Sequence, residues 1–209
     1  MDFLLDGSRD APTTILLAHG AGAPMESASM NAAAAALAAE GFQVARFEFP
    51  YMAARRVGQR RPPPRAEALV PEFEAAVAAL RSAGPPIIGG KSMGGRVASL
   101  AADTLYARGA IRGLLCLGYP FHPPGKPGEL RTAHLARLTT PALICQGTRD
   151  PFGTREEVRG YVLSGRIELL WLEDGDHDLK PRKSVSGFSA DDHSRTMART
   201  VRAWCDRIG

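Results

Sequence analysis

Cysteine, aromatic residues and long apolar runs are all scarce in this chain of 209 residues. Three cysteines, Cys116, Cys145 and Cys205, cannot all pair, and no C-x-x-C or Cys/His spacing suggests a zinc site. Each lies in an apolar stretch, which predicts buried thiols kept in a reducing compartment. No apolar run approaches the roughly 20 residues that a membrane-spanning helix needs. Met1–Gly7 has neither a basic stretch nor a long apolar stretch, so no signal peptide is read and a cytoplasmic protein is expected. A formal charge of +4 permits anionic partners without demanding nucleic acid, and neither a nucleic-acid nor a membrane partner is expected.

What is present is globular. Apolar residues at 44% and charged residues at 23% exclude a disordered or fibrous chain. A chain this long buries roughly 70% of its unfolded surface and needs no disulfide or metal staple. Six apolar runs read as strands: Thr13–Ala18, Gln43–Phe49, Pro86–Gly89, Arg112–Leu117, Ala142–Gln146 and Ile167–Leu172. Helical patterns lie between them: Asn31–Glu40, Arg65–Arg81 with either a kink or the start of the helix at Pro71, Gly95–Arg108, a helix from a Thr154/Glu157 capping box to Leu163, and a last helix with Met197, Val201, Trp204 and Ile208 on one face. The alternation predicts one α/β domain over 1–209, a doubly wound, mostly parallel sheet of about six strands with helices on both faces. Tyr51–Arg65 carries five arginines, three consecutive prolines and no acid, and reads as a surface loop.

The strongest local signal is Gly90-Lys91-Ser92-Met93-Gly94, between a predicted strand and a predicted helix. Gly-x-Ser-x-Gly in that setting reads as a nucleophile elbow, a turn so tight that only glycine fits beside a strained, exposed serine; taken alone it reads equally as a glycine-rich turn that merely joins strand to helix. A phosphate-binding loop is excluded by spacing. With Lys91 as its lysine, its first glycine would fall on residue 85, a proline.

A serine hydroxyl needs a base, and the base an orienting acid. Asp150 follows the fifth predicted strand and His177 the sixth, in the order Ser, Asp, His, each at the carboxyl end of a strand. Taken singly, Asp150 reads equally as a turn cap and His177 as a loop histidine. His122 and His134 precede Asp150, the wrong order, and His193 reads as a surface residue opening the last helix. The backbone N–H groups of Ala21 and Met93, with Gly22 as the alternative to Ala21, are the expected oxyanion donors, and His19 is expected to brace their loop.

The stretches that carry Ser92, Asp150 and His177, with His19-Gly-Ala-Gly-Ala-Pro-Met, Arg46-Phe-Glu-Phe-Pro-Tyr-Met and Leu117-Gly-Tyr-Pro-Phe-His-Pro-Pro-Gly-Lys, resemble the α/β-hydrolase fold. They are most similar to a small, lid-poor group that includes testis-expressed protein 30 and the hydrolase domain of non-specific-lethal complex subunit 3. The resemblance implies Ser92 as nucleophile, Asp150 as acid and His177 as base, with no metal or cofactor. It names no substrate. Only residues 118–141 separate the fourth and fifth predicted strands, so no large cap is expected and the site should be open.

A serine nucleophile favours carboxylic esters or thioesters as small-molecule substrates. Lys91, Arg96, Lys126, Arg149, Lys180, Arg182, Lys183 and the Arg55–Arg65 loop read either as a steering field for an anionic ester or as a solvated basic surface. Tyr119, Phe121 and His122 read either as substrate contacts or as loop packing. The alternative to an enzyme is a binding or scaffold module of the same fold without turnover.

Overall fold

Strands that are buried over their whole length form the centre of the molecule. The computed structural model describes residues 1–59 and 61–209. The strands are β1 Leu4–Asp6, β2 Thr14–Ala18, β3 Gln43–Phe47, β4 Ile87–Lys91, β5 Gly113–Leu117, β6 Ala142–Gly147 and β7 Ile167–Leu172. They make one sheet in the order β1-β3-β2-β4-β5-β6-β7, parallel throughout except for β1, which runs antiparallel to β3. Side chains alternate between two cores. Leu16, Ala18, Leu114, Cys116 and Ile144 face one; Ile15, Leu17, Leu115, Leu117 and Leu143 face the other.

Helices α3 Val70–Ala79 and α4 Met93–Ala107 cover the first face, through Phe73, Val97, Ala101 and Leu105. Helices α1 Ala28–Ala39 and α7 Ala190–Ile208 cover the second, through Met30, Leu37, Met197, Val201 and Trp204. The short helices α2 Pro50–Arg56, α5 Arg155–Val158 and α6 Lys183–Ser186 lie in the connections.

The differences from the sequence reading have local causes. A seventh strand is present because Leu4–Asp6 is long enough to pair with β3 but too short to show a period. Asp6 then accepts from buried Arg46, which also donates to Met25 O and Asn31 Oδ1. The arginine-rich stretch is not all loop, because Pro50 at the first position starts α2. Arg60 within that stretch lies outside the described residues. The helix expected over Arg65–Arg81 is a 3-10 turn at Ala66–Leu69 followed by α3, with Pro71 in the first turn of α3. The Thr154/Glu157 capping box forms, but its helix ends after one turn. Serine 189 and Asp192 make a second capping box that starts α7, with aspartate in the place usually held by Glu or Gln.

Trp204 is 1% exposed and lies over Gly113, whose missing side chain leaves room for the indole. Truncation would open a cavity between α7 and the sheet. Trp204→Ala is expected to cost about 3–5 kcal/mol in urea unfolding, with the m-value unchanged.

Candidate active site

Strand β4 ends in a turn with no room for side chains. A Cβ on Gly90 would stand 2.4 Å from the Ala18 carbonyl oxygen, and one on Gly94 would stand 2.4 Å from the same atom and 2.6 Å from the His19 oxygen. The chain passes between these contacts only by placing Ser92 at φ 52°, ψ −116°, a strained conformation for a residue with a side chain. The Ser92 N–H donates to Leu117 O at 3.0 Å, tying the turn to β5. Helix α4 starts at the next residue, which sets the hydroxyl at the positive end of a fifteen-residue helix.

The structure brings Ser92, Asp150 and His177 together. The Ser92 Oγ lies 2.8 Å from His177 Nε2, and His177 Nδ1 lies 2.8 Å from Asp150 Oδ2. Aspartate 150 is fully buried and acceptor-only, so Nδ1 carries the ring proton and Nε2 is left to accept from the hydroxyl. Phe152 N donates to Asp150 Oδ1 at 2.9 Å, and Gln146 Nε2 donates to Oδ2 at 2.9 Å. The Phe152 ring stacks on the imidazole at 4.1 Å between centroids and limits its rotation. This arrangement can draw the hydroxyl proton onto the imidazole while the carboxylate stabilises the resulting cation.

The loop after β2 lies against the elbow. Ala21, Ser92 and Met93 border one cleft, and among the described residues neither the Ala21 nor the Met93 N–H has a hydrogen-bond partner. The loop is held from behind. His19 Nδ1–H donates to Gly20 O at 2.7 Å, and Nε2 accepts from Phe49 N at 3.1 Å. That pairing requires a neutral ring, and burial pushes the His19 imidazole below its ordinary pKa. The Tyr51 hydroxyl, raised to about 12 by burial, donates to Ala21 O at 3.1 Å.

Tyr119, Phe121 and His122 do not reach the cleft. After β5 the chain turns, with Gly118 at φ 66° and Phe121 N donating to Tyr119 O at 3.1 Å, so Tyr119 and Phe121 enter the core with their rings 4.9 Å apart, and Pro120 lines the cleft. His122 is buried between Pro123 O and Glu157. His193 is buried as well, its Nδ1 at 2.8 Å from Leu179 O, and is not a surface residue. His134 lies against Ser99 Oγ at 2.8 Å, and burial with nearby Arg96 lowers it to about 4.

Most of the basic residues near the mouth are already paired. Arg149 and Arg182 hold Asp174, and Lys126 holds Glu129. Lys91 is buried, its Nζ donating to His177 O at 2.6 Å with Asp178 Oδ1 at 3.4 Å. Arg65 and Arg96 do line the cleft, joined by Arg131, which the sequence reading missed. Gln146 was also missed, although a glutamine at the end of an otherwise apolar β6 is a signal. Among the described residues no group of three or more His, Cys, Asp or Glu side chains is placed to hold a metal ion. No helix there is long and apolar enough to cross a membrane.

Comparison with known proteins agrees with this fold. The model of a family described as an alpha/beta hydrolase domain matches residues 11–206. A lid-less α/β serine hydrolase from Xanthomonas campestris, XC6422, superposes with a TM-score of 0.74 at 20% identity, over 97% of this chain and 88% of its own. Est1E from Butyrivibrio proteoclasticus superposes at 0.68 with 16% identity, over 99% and 93%. An α/β serine hydrolase homologue from Coxiella burnetii gives 0.67 at 16%, over 99% and 91%. At these identities the likeness shows the fold.

The loop that carries His177 depends on two charged anchors. Replacing Lys91 by Met leaves the His177 carbonyl without its donor. Lys91→Met is expected to lose about 1–3 kcal/mol of unfolding free energy and to speed amide exchange over 174–180. The Arg182 guanidinium and backbone N–H hold the Asp174 carboxyl down at about 2. A depressed carboxyl stabilises the fold fully above its ordinary range near 3.8, and that contribution is lost as pH falls toward 2. In urea titrations between those limits, Asp174→Asn should show a shallower loss of stability than the parent protein.

Proposed function

Because the chain belongs to the α/β-hydrolase domain family, whose model matches residues 11–206, we propose that it is a serine hydrolase that cleaves carboxylic esters or thioesters through an acyl-enzyme. The observation that carries this reading is the unbroken hydrogen-bond path from the Ser92 hydroxyl through His177 to buried Asp150. As His177 Nε2 takes the Ser92 proton, Oγ bonds to the substrate carbonyl carbon, and the carbonyl π pair moves to its oxygen. The N–H groups of Ala21 and Met93 then receive that oxyanion. Ala21 is preferred to Gly22 because it borders both clefts beside Ser92, and Gly22 only the smaller. Collapse breaks the bond to the leaving oxygen or sulfur, which takes the proton from His177. Water repeats the sequence on the acyl-enzyme and restores Ser92.

No cofactor enters any of these steps. Residues 1–209 are read as one hydrolase domain. Within the family the chain is placed beside the lid-poor group of testis-expressed protein 30 and non-specific-lethal complex subunit 3, on the motifs around Ser92, Asp150 and His177. The absence of a cap-sized insertion between β5 and β6 supports an open site suited to small substrates. Three buried, unpaired thiols among the described residues support a cytoplasmic, reducing location.

Hydrolysis of p-nitrophenyl acetate and butyrate, and of their thioester counterparts, tests the reading. Ser92→Ala should lower kcat more than about 10⁴-fold, and Asp150→Asn about 10⁴-fold. A fluorophosphonate should label the parent protein at Ser92. Folded protein that neither turns over these substrates nor takes the label would instead be a scaffold of the same fold.

A further inference from the structure

Two clefts flank Ser92, and they differ in charge. The smaller, about 270 Å³, contains His177 and the Gly20–Ala23 loop. The larger, about 550 Å³, contains Met93 but not His177, and three guanidinium groups line it against one carboxylate: Arg65, Arg96 and Arg131 against Glu67. The proton for the leaving group comes from His177, so the leaving group must lie on the imidazole side. The acyl group is therefore left with the larger cleft.

Arg131 is the cation without an assignment. Its backbone is fixed, with the N–H donating to Phe121 O at 2.7 Å and the carbonyl accepting from the Tyr119 hydroxyl at 3.1 Å. Its half-buried guanidinium makes no hydrogen bond or ion pair among the described residues. Burial and the charge of Arg96 both disfavour its protonated form. Arg96 reaches Glu67 with its terminal nitrogen, but its buried Nε has no partner. An anion between the two would pair with the unpaired N–H donors of Arg131 and relieve the like-charge repulsion with Arg96 at the same time.

We infer that Arg131 and Arg96 form an anion subsite on the acyl side of Ser92, so that the preferred substrate is an ester or thioester whose acyl chain ends in a carboxylate, a half-ester of a dicarboxylic acid. This assignment rests on the serine-hydrolase reading for its chemistry. Arg65, exposed at the rim, adds attraction without geometry. Glu67 is the internal competitor that holds Arg96 when no substrate is bound.

The turnover test compares p-nitrophenyl hydrogen adipate and hydrogen pimelate with their own methyl esters, which share the leaving group and differ only in the distal charge. The expected ratio of kcat/KM, acid over methyl ester, is about ten or more at low salt, falling as salt rises. Arg131→Gln should bring that ratio to about one. Glu67→Gln should raise it about threefold, an effect that general damage to the cleft does not produce. Arg199→Gln, the same charge change on the exposed face of α7, should leave it unaltered. Preference for 4-acetoxybenzoate over its methyl ester, with no acid preference among the adipates and pimelates, would overturn the acyl-side placement. A ratio near one in the parent protein, while Ser92-dependent turnover persists, would overturn the subsite and leave the hydrolase reading standing.

A binding test separates the two ideas further. Calorimetry on Ser92→Ala with monomethyl succinate, glutarate and adipate should show binding at least tenfold tighter than to the dimethyl esters, and Arg131→Gln should abolish the difference. Equal affinity for the mono- and dimethyl esters overturns the subsite whether or not the parent protein turns over esters.

Discussion

The backbone oxygen of Ala18 sets the terms for everything near the nucleophile. It approaches the positions of Gly90 and Gly94 so closely that neither tolerates a Cβ, and β2, β4 and α4 meet around it. That crowding forces Ser92 into positive φ, and the strain is held by the parallel pairing of β4 with both β2 and β5. The same packing carries the Gly20–Ala21 peptide against the elbow. The alcohol and its proposed oxyanion donors are therefore products of one steric constraint, not separate inventions of two loops.

The imidazole arrives from the far side of the sheet and is held by unlike forces. Asp150 is anchored by Gln146 and by the Phe152 amide, which gives a buried carboxylate the hydrogen bonds it needs. Gln146 also bonds both the N–H and the carbonyl of Tyr119, so one amide side chain ties the β5 and β6 ends together. His177 is then set by the Asp150 bond, the Phe152 ring and the Lys91 grip on its carbonyl. Lys91 precedes the nucleophile directly, so the β4 end fixes both ends of the hydrogen bond between Ser92 and His177.

The extent to which the sequence announced this site follows from the range of the interactions. Five of the six longer strands are buried throughout and all six write short, largely apolar runs, so they were legible, whereas three-residue β1 depends on pairing with β3 and was not. Ser92 was legible because its constraint is local: glycines two positions away on either side. Asp150 and His177 were legible because each follows a strand and parallel topology brings those ends together. Arg131 was not, because its place depends on a loop folding back so that Tyr119 grips its carbonyl, a contact with no period or motif. Tyr119 and Phe121 misled for a related reason. Composition shows that aromatics are present, but only backbone phase decides whether Pro120 or its neighbours face outward.

The lack of a cap changes what kind of recognition the cleft can use. Under a lid, a substrate is held by desolvation, and a single buried charge is worth a great deal. In an open cleft, water and salt weaken each cation, so isolated surface lysines contribute little to selectivity. Two guanidinium groups fixed at their backbones and sharing one volume escape much of that penalty. Their mutual repulsion is present before binding, and one anion would answer both. An uncapped hydrolase of this size is therefore better served by a paired-arginine subsite than by a long apolar tunnel. The apolar surface that a tunnel requires is already committed here to the two faces of the sheet.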